Sequence, residues 1–272
     1  MRITLFLSSA LIASAQWLHY PTPGIPRTRE GKPNLSAPAP RSSNHRADLS
    51  GIWQVEPTPL PELTRLFGDV TTFDVPGDDS GTYNKYLFSV VADYKESPLL
   101  PEAREIARQR GKANSAGLPT THCLLGGIPF SMTLPFPFKI IQTPTLMVIL
   151  HEGDSATRQI YTDGRNHTPD PQPTWMGYST GQWNGDTLVV DTVGFNDKGW
   201  LDAGGTPHSE ALHTVERIHR RDFGHMDVEI TFDDPKMYSK PFSVKFTAAL
   251  LPDTDIQETV CAENEKDRLH FK

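Results

Sequence analysis

His208, Glu210 and His213 form the densest group of metal-ligating and proton-carrying side chains in the sequence, with Glu216 and His219 close behind. Two imidazoles and a carboxylate make the donor set of a hydrolytic zinc site, which leaves one position open for water. The spacing argues against that use. On a strand, His208 and Glu210 share one face and His213 takes the other; on a helix, an offset of five does not align the histidines as the four-residue offset of H-E-x-x-H does. No cofactor is therefore favoured; a divalent metal such as zinc, if bound, would sit on His208, Glu210 and His213. The same residues suit acid–base chemistry without a metal. A histidine held by Glu210 or Asp202 is a general base near neutral pH, and Arg217 or Arg165 would steady a developing oxyanion. The competing reading is structural: Glu216, Arg217, Arg220 and Arg221 pair across strands with Asp227 and Glu229.

Two further motifs and one set of aromatic residues carry chemical potential. Asp163-Gly164-Arg165-Asn166-His167 reads as a turn that displays Asp163, Arg165 and His167 at one end of the fold, where loops carry function. Gly177-Tyr178-Ser179-Thr180-Gly181 matches the G-x-S-x-G nucleophile elbow. That elbow needs a strand turning sharply into a helix, and here the chain runs on into an Asn184-Gly185 hairpin. Trp53, Trp175, Tyr178, Trp183, Phe195 and Trp200 are large aromatics, most of them clustered around the middle strands. Core packing is their ordinary role, but wide barrels leave a cavity that aromatics with one polar atom commonly line. Trp175, Trp183, Trp200 and Tyr178 are the expected lining of a pocket for a small, partly apolar or aromatic organic molecule.

The elements that must position these residues are mostly strands. Apolar alternation and turn signals place strands near 49–55, 138–143, 146–151, 157–162, 175–183, 187–193, 212–221, 225–233, 241–250 and 255–261. Residues 209–223 also fit a helix, with Ser209 as cap and Gly224 as stop, but the turn at Asp222-Phe223-Gly224 favours a hairpin. A helix is expected over 98–111, with proline and acid at its start and bases at its end, and a second over 83–94. Strands that neighbour one another in sequence make an antiparallel up-and-down meander. Closing it into a lipocalin-like barrel of about eight to ten strands removes the exposed edges. The fold class is therefore mainly β, a single barrel domain over 48–272 with a helical and loop insertion at 57–135.

Ahead of the barrel, residues 16–47 form a proline-rich arm that cannot keep a backbone ladder. Residues 1–15 read as a secretory signal, with a charged start, a short apolar run and Ala13-Ser14-Ala15 as an A-x-A site. Export to the periplasm or outside the cell puts Cys123 and Cys261 in an oxidising compartment, where a disulfide is expected. The balance of 33 acidic to 26 basic residues, with the bases scattered, argues against nucleic acid as a partner. No segment after the signal approaches the length of a membrane span.

Longer motifs carry a resemblance. Tyr161-Thr162-Asp163-Gly164-Arg165, the run from Gly181 to Thr192, Gly194-Phe195-Asn196-Asp197, Trp200-Leu201-Asp202 and Pro207-His208-Ser209-Glu210-Ala211-Leu212-His213 resemble an uncharacterised family of exported bacterial β-rich proteins. The resemblance spans about Trp17 to Asp267 and brings no activity with it. Thr168 stands where that family's pattern has proline. Gly51-Ile52-Trp53 is also similar to the Gly-x-Trp of the first lipocalin strand. Three functional classes follow: a small-molecule binder; a hydrolase, lyase or isomerase with a histidine acid–base site; and an envelope interaction protein that docks through its arm.

Overall fold

The computed structural model describes residues 21–57, 98–113, 116–134 and 136–261. The expected signal and the expected helix over 83–94 lie outside these residues. Nine strands form one closed barrel in sequence order: β1 (Gly51–Val55), β2 (Phe138–Gln142), β3 (Leu146–His151), β4 (Thr157–Tyr161), β5 (Tyr178–Asn184), β6 (Thr187–Val193), β7 (His213–Arg220), β8 (His225–Asp233) and β9 (Phe242–Leu250). Helix α1 (Pro101–Lys112) starts on a proline, carries Glu102 in its first turn and Arg110 and Lys112 in its last, and buries Ala103. Gly111 falls inside its last turn rather than stopping it. A 3-10 turn (Pro119–His122) and the short α2 (Phe130–Thr133) follow.

Nine strands in a sequence-order meander fall within the expected eight to ten, and the structure departs from the sequence reading at two places. Residues 255–261 form no strand. β1 pairs with β9 through Trp53 and Leu250, so the barrel is closed and no edge remains for a tenth strand to join. An odd number of strands cannot alternate in direction all the way round a closed barrel. One pair must run parallel, and here it is β4 with β5, held through Ile160 to Ser179 and Tyr161 to Thr180. A parallel neighbour requires a long crossover. Residues 162–177 supply it, running along the outside from one end of the barrel to the other. The segment 209–223 holds a turn, β7 and the start of the reversal into β8, not a helix.

Alternation sorts the strands into an inward and an outward face. Met147, Ile149, Ile160, Leu188, Val190, Ile218, Met226, Val228 and Ile230 are all buried. Trp53 closes one end: its Nε1 donates to the Leu49 carbonyl at 3.0 Å, and the Arg220 guanidinium lies 4.8 Å from its ring centroid. The arm covers that end. Gly224 N donates to Leu35 O and Phe223 N to Ala37 O, each at 2.7 Å, and a Cβ on Gly224 would stand 2.4 Å from that of Leu35. Arg41 on the arm makes a two-pronged bond to Asp186. Residues 126–133, buried throughout, cover the other end as a lid. Cys123, beside the lid, is disulfide-bonded to Cys261. No described helix is long and apolar enough to cross a membrane.

Candidate ligand-binding site

The short β4–β5 pairing leaves the barrel wall open on its outside, and the end of the crossover folds over the gap. Thr174 N donates to Gly194 O at 2.9 Å and Asn196 N to Thr174 O at 2.8 Å, which fixes the approach to β5. Gly177 makes the turn that follows, at φ +65°, where a Cβ would strike the Thr192 methyl at 2.6 Å. Between this segment and β4 lies a groove of about 340 Å³, walled by Trp175, Met176, Leu125, Tyr161 and Tyr178, with Thr157 and Gln159 as polar edges. Tyr161 and Tyr178 stack at 5.4 Å between ring centroids. Its volume lies within the range of small-molecule clefts, and its walls are aromatic with few polar groups.

A polar cluster adjoins the groove on the outer face of β5, β6 and β7. Thr180 and Val215 flank Asp191 in register, and His213 is the diagonal neighbour on that face. His213 Nε2 lies 2.9 Å and His167 Nε2 3.1 Å from the same Asp191 oxygen. The His167 ring meets Tyr178 edge-on at 6.0 Å, which links the cluster to the groove wall. A threonine–histidine–aspartate relay is excluded by geometry. Thr180 Oγ1 sits 2.8 Å from His167 Nε2, so hydroxyl and carboxylate compete for one ring nitrogen instead of holding opposite ones. Arg165 lies 3.9 Å above the Tyr161 ring and grips Asp163 with two nitrogens, an exposed pairing that holds the Asp163 carboxyl below its usual range.

The residues expected to act together from the sequence are thus divided. Asp163, Arg165, His213, Trp175 and Tyr178 gather around the groove and its flank. His208 is buried against Phe195 and Gly199, and burial lowers its proton affinity. Glu210 is exposed on the turn before β7, and Arg217 is exposed on β7 opposite Glu229. His208, Glu210 and His213 therefore do not converge as a metal or catalytic set, and no group of three such side chains suited to a metal ion is found among the described residues. Trp183 packs at the arm end, 5.9 Å from the Arg46 guanidinium, and Trp200 packs under Arg110 of α1 at 4.5 Å. Neither borders the groove. A second outer hollow of about 520 Å³, over β6 to β9, is walled largely by charged residues such as Arg217, Asp227, Glu229 and Lys245.

Sequence reasoning did not single out the polar interior beneath the lid. Arg158 on β4 and Glu216 on β7 face inward and form a buried ion pair through both guanidinium Nη atoms. Ser179 and Thr192 accept further Arg158 N–H bonds at 3.0–3.2 Å, and Met132 Sδ lies 3.7 Å from Nη1. Ser179, the central residue of the apparent nucleophile elbow, is therefore an inward-facing support for Arg158. Each guanidinium N–H has a use, as a buried charge requires.

His151 stands at the same end, its ring 5.9 Å from that of Phe138. Burial first, and Arg158 in addition, depress its proton affinity to about 4; Asp154 and the Ser131 backbone oppose the shift without reversing it. The unfolded ring binds a proton near pH 6.5, so stability is full above that pH and is lost as pH falls toward 4. The loss expected from this one group is about 3 kcal/mol at pH 4. Urea midpoints across this range measure it: His151→Phe should flatten the wild-type slope, and an unchanged slope would place the acid sensitivity elsewhere.

No family model matches the chain, and no curated protein or solved structure is significantly similar to it.

Proposed function

We propose that this is an exported barrel protein that binds a small, partly apolar or aromatic organic molecule in the groove at the β4–β5 seam. The observation that carries this reading is the aromatic wall of Trp175 with the stacked Tyr161 and Tyr178 around about 340 Å³. Export is supported by the Cys123–Cys261 disulfide, which is at home in an oxidising compartment. The bound ring stacks on these aromatics, and Gln159 and Thr157 offer hydrogen bonds to one polar substituent. Titration with 2-naphthol should change tryptophan emission in a saturable way. Trp175→Ala should raise Kd by about 10- to 30-fold, the effect of removing a central aromatic anchor. A response that never saturates, or one that Trp175→Ala leaves intact, would count against the groove.

The His213–Asp191 contact supports a second reading, an acid–base enzyme of hydrolase, lyase or isomerase type. With Nε2 bonded to the carboxylate, the ring keeps Nδ1 for proton transfer. On this reading His213→Gln and Asp191→Asn abolish turnover of an aromatic ester panel while the unfolding midpoint stays nearly constant. A wild-type protein inert toward the panel leaves binding as the function.

A further inference from the structure

Three buried polar atoms under the lid meet no hydrogen-bond partner among the described residues: Nδ1 and Nε2 of His151 and Oγ1 of Thr214. The Ser131 backbone lies near enough to favour a protonated ring but does not reach hydrogen-bond geometry with it. These atoms share one neighbourhood. Ile149, two residues before His151 on the inward face of β3, is the register partner of Arg158; Arg158 bonds Thr192, and Thr192 is the register partner of Thr214. Native interiors seldom leave such groups unmet, and a buried site with two orphaned side chains facing a shared polar patch is one that an occupant completes.

The chemistry of the walls selects that occupant. Arg158 already bonds Glu216, Ser179 and Thr192, so an anion finds no uncommitted cationic donor there. Glu216 is matched by Arg158, and a cation would meet the guanidinium. A neutral imidazole presents one donor and one acceptor, and a threonine hydroxyl presents both. We propose that the lidded end of the barrel interior is a second binding site, separate from the outer groove, for a small uncharged amide or alcohol that both donates and accepts hydrogen bonds. Entry runs past the lid. Asp154 latches it, accepting from Gly126 N at 2.9 Å and Ser131 Oγ at 2.6 Å, so loss of the latch opens the route without removing His151 or Thr214.

Three isosteres that differ in charge test this on the mature protein: acetamide, acetate and acetamidinium, followed by the NMR signals of the His151 ring and the Thr214 methyl. Acetamide alone should shift both signals in a saturable way, faster in Asp154→Asn, while the Trp175 indole stays unmoved. The His151 shift should vanish in Thr214→Val, which keeps the side-chain shape, and the Thr214 shift should vanish in His151→Phe. The proposal is overturned by silence toward acetamide in both wild type and Asp154→Asn, or by an equal response to the charged isosteres. It is also overturned by a high-resolution density map in which only ordered water bonds the three atoms. None of these outcomes bears on Trp175, so the outer groove stands or falls separately.

Discussion

Glu216→Ala is expected to destabilise the protein by about 3–5 kcal/mol, because it leaves the Arg158 charge buried without its counter-ion. Arg158 and Glu216 are both almost wholly shielded, at 1% and 0% side-chain exposure. Coulombic attraction at that depth offsets a large desolvation cost, so removing one partner exposes the cost of the other. Replacing both together, Arg158→Met with Glu216→Leu, should recover most of the loss. Urea unfolding at constant slope measures each value. A single-mutant loss below about 1 kcal/mol is the figure for a solvated surface pair and would contradict the buried arrangement.

Removing the disulfide is the second large effect. Cys123 and Cys261 are separated by 138 positions, and the chain-entropy model gives roughly 4–5 kcal/mol for closing a loop of that length in the unfolded state. The bond also anchors the final described segment beside the lid, where Ser155 donates to the Thr259 carbonyl and Gln257 N to Glu152. Cys123→Ser with Cys261→Ser should lower the denaturant midpoint and loosen residues 251–261 first, seen as faster amide exchange there than in β2 or β3. Equal midpoints for the oxidised and double-serine proteins would show that the cross-link constrains little.

Alternation made the barrel legible. Segments such as Thr187–Val193 and His225–Asp233 bury every second residue, and turn residues such as Asn184-Gly185 mark where they reverse. The parallel seam was hidden because residues 162–177 look like any polar loop, and only the odd strand count forces a change of direction. The candidate site was half legible for the same reason. Trp175, Tyr178, His213, Asp163 and Arg165 are visible by type, but the nearness of Asp191 and His167 to His213 depends on register across β5, β6 and β7. His208 and His213 are close in sequence and diverge because the turn after Ser209 buries one ring and sends the other to the outer face. The Arg158–Glu216 pair did leave a signal. Arg158 is in phase with Ile160, and Glu216 with Ile218, so each strand sets a charge on its apolar face, and two opposite charges so placed predict each other.

Ligand binding in the aromatic seam between β4 and β5 remains a proposal that crystallography can decide. A crystal structure of residues 16–272 grown with 2-naphthol is the sharpest test. The expected density is a ring stacked among Trp175, Tyr161 and Tyr178, its hydroxyl within hydrogen-bond distance of Gln159 or Thr157; a vacant seam at saturating ligand, or a ring bound only at the charged hollow over β6 to β9, would overturn the proposed site.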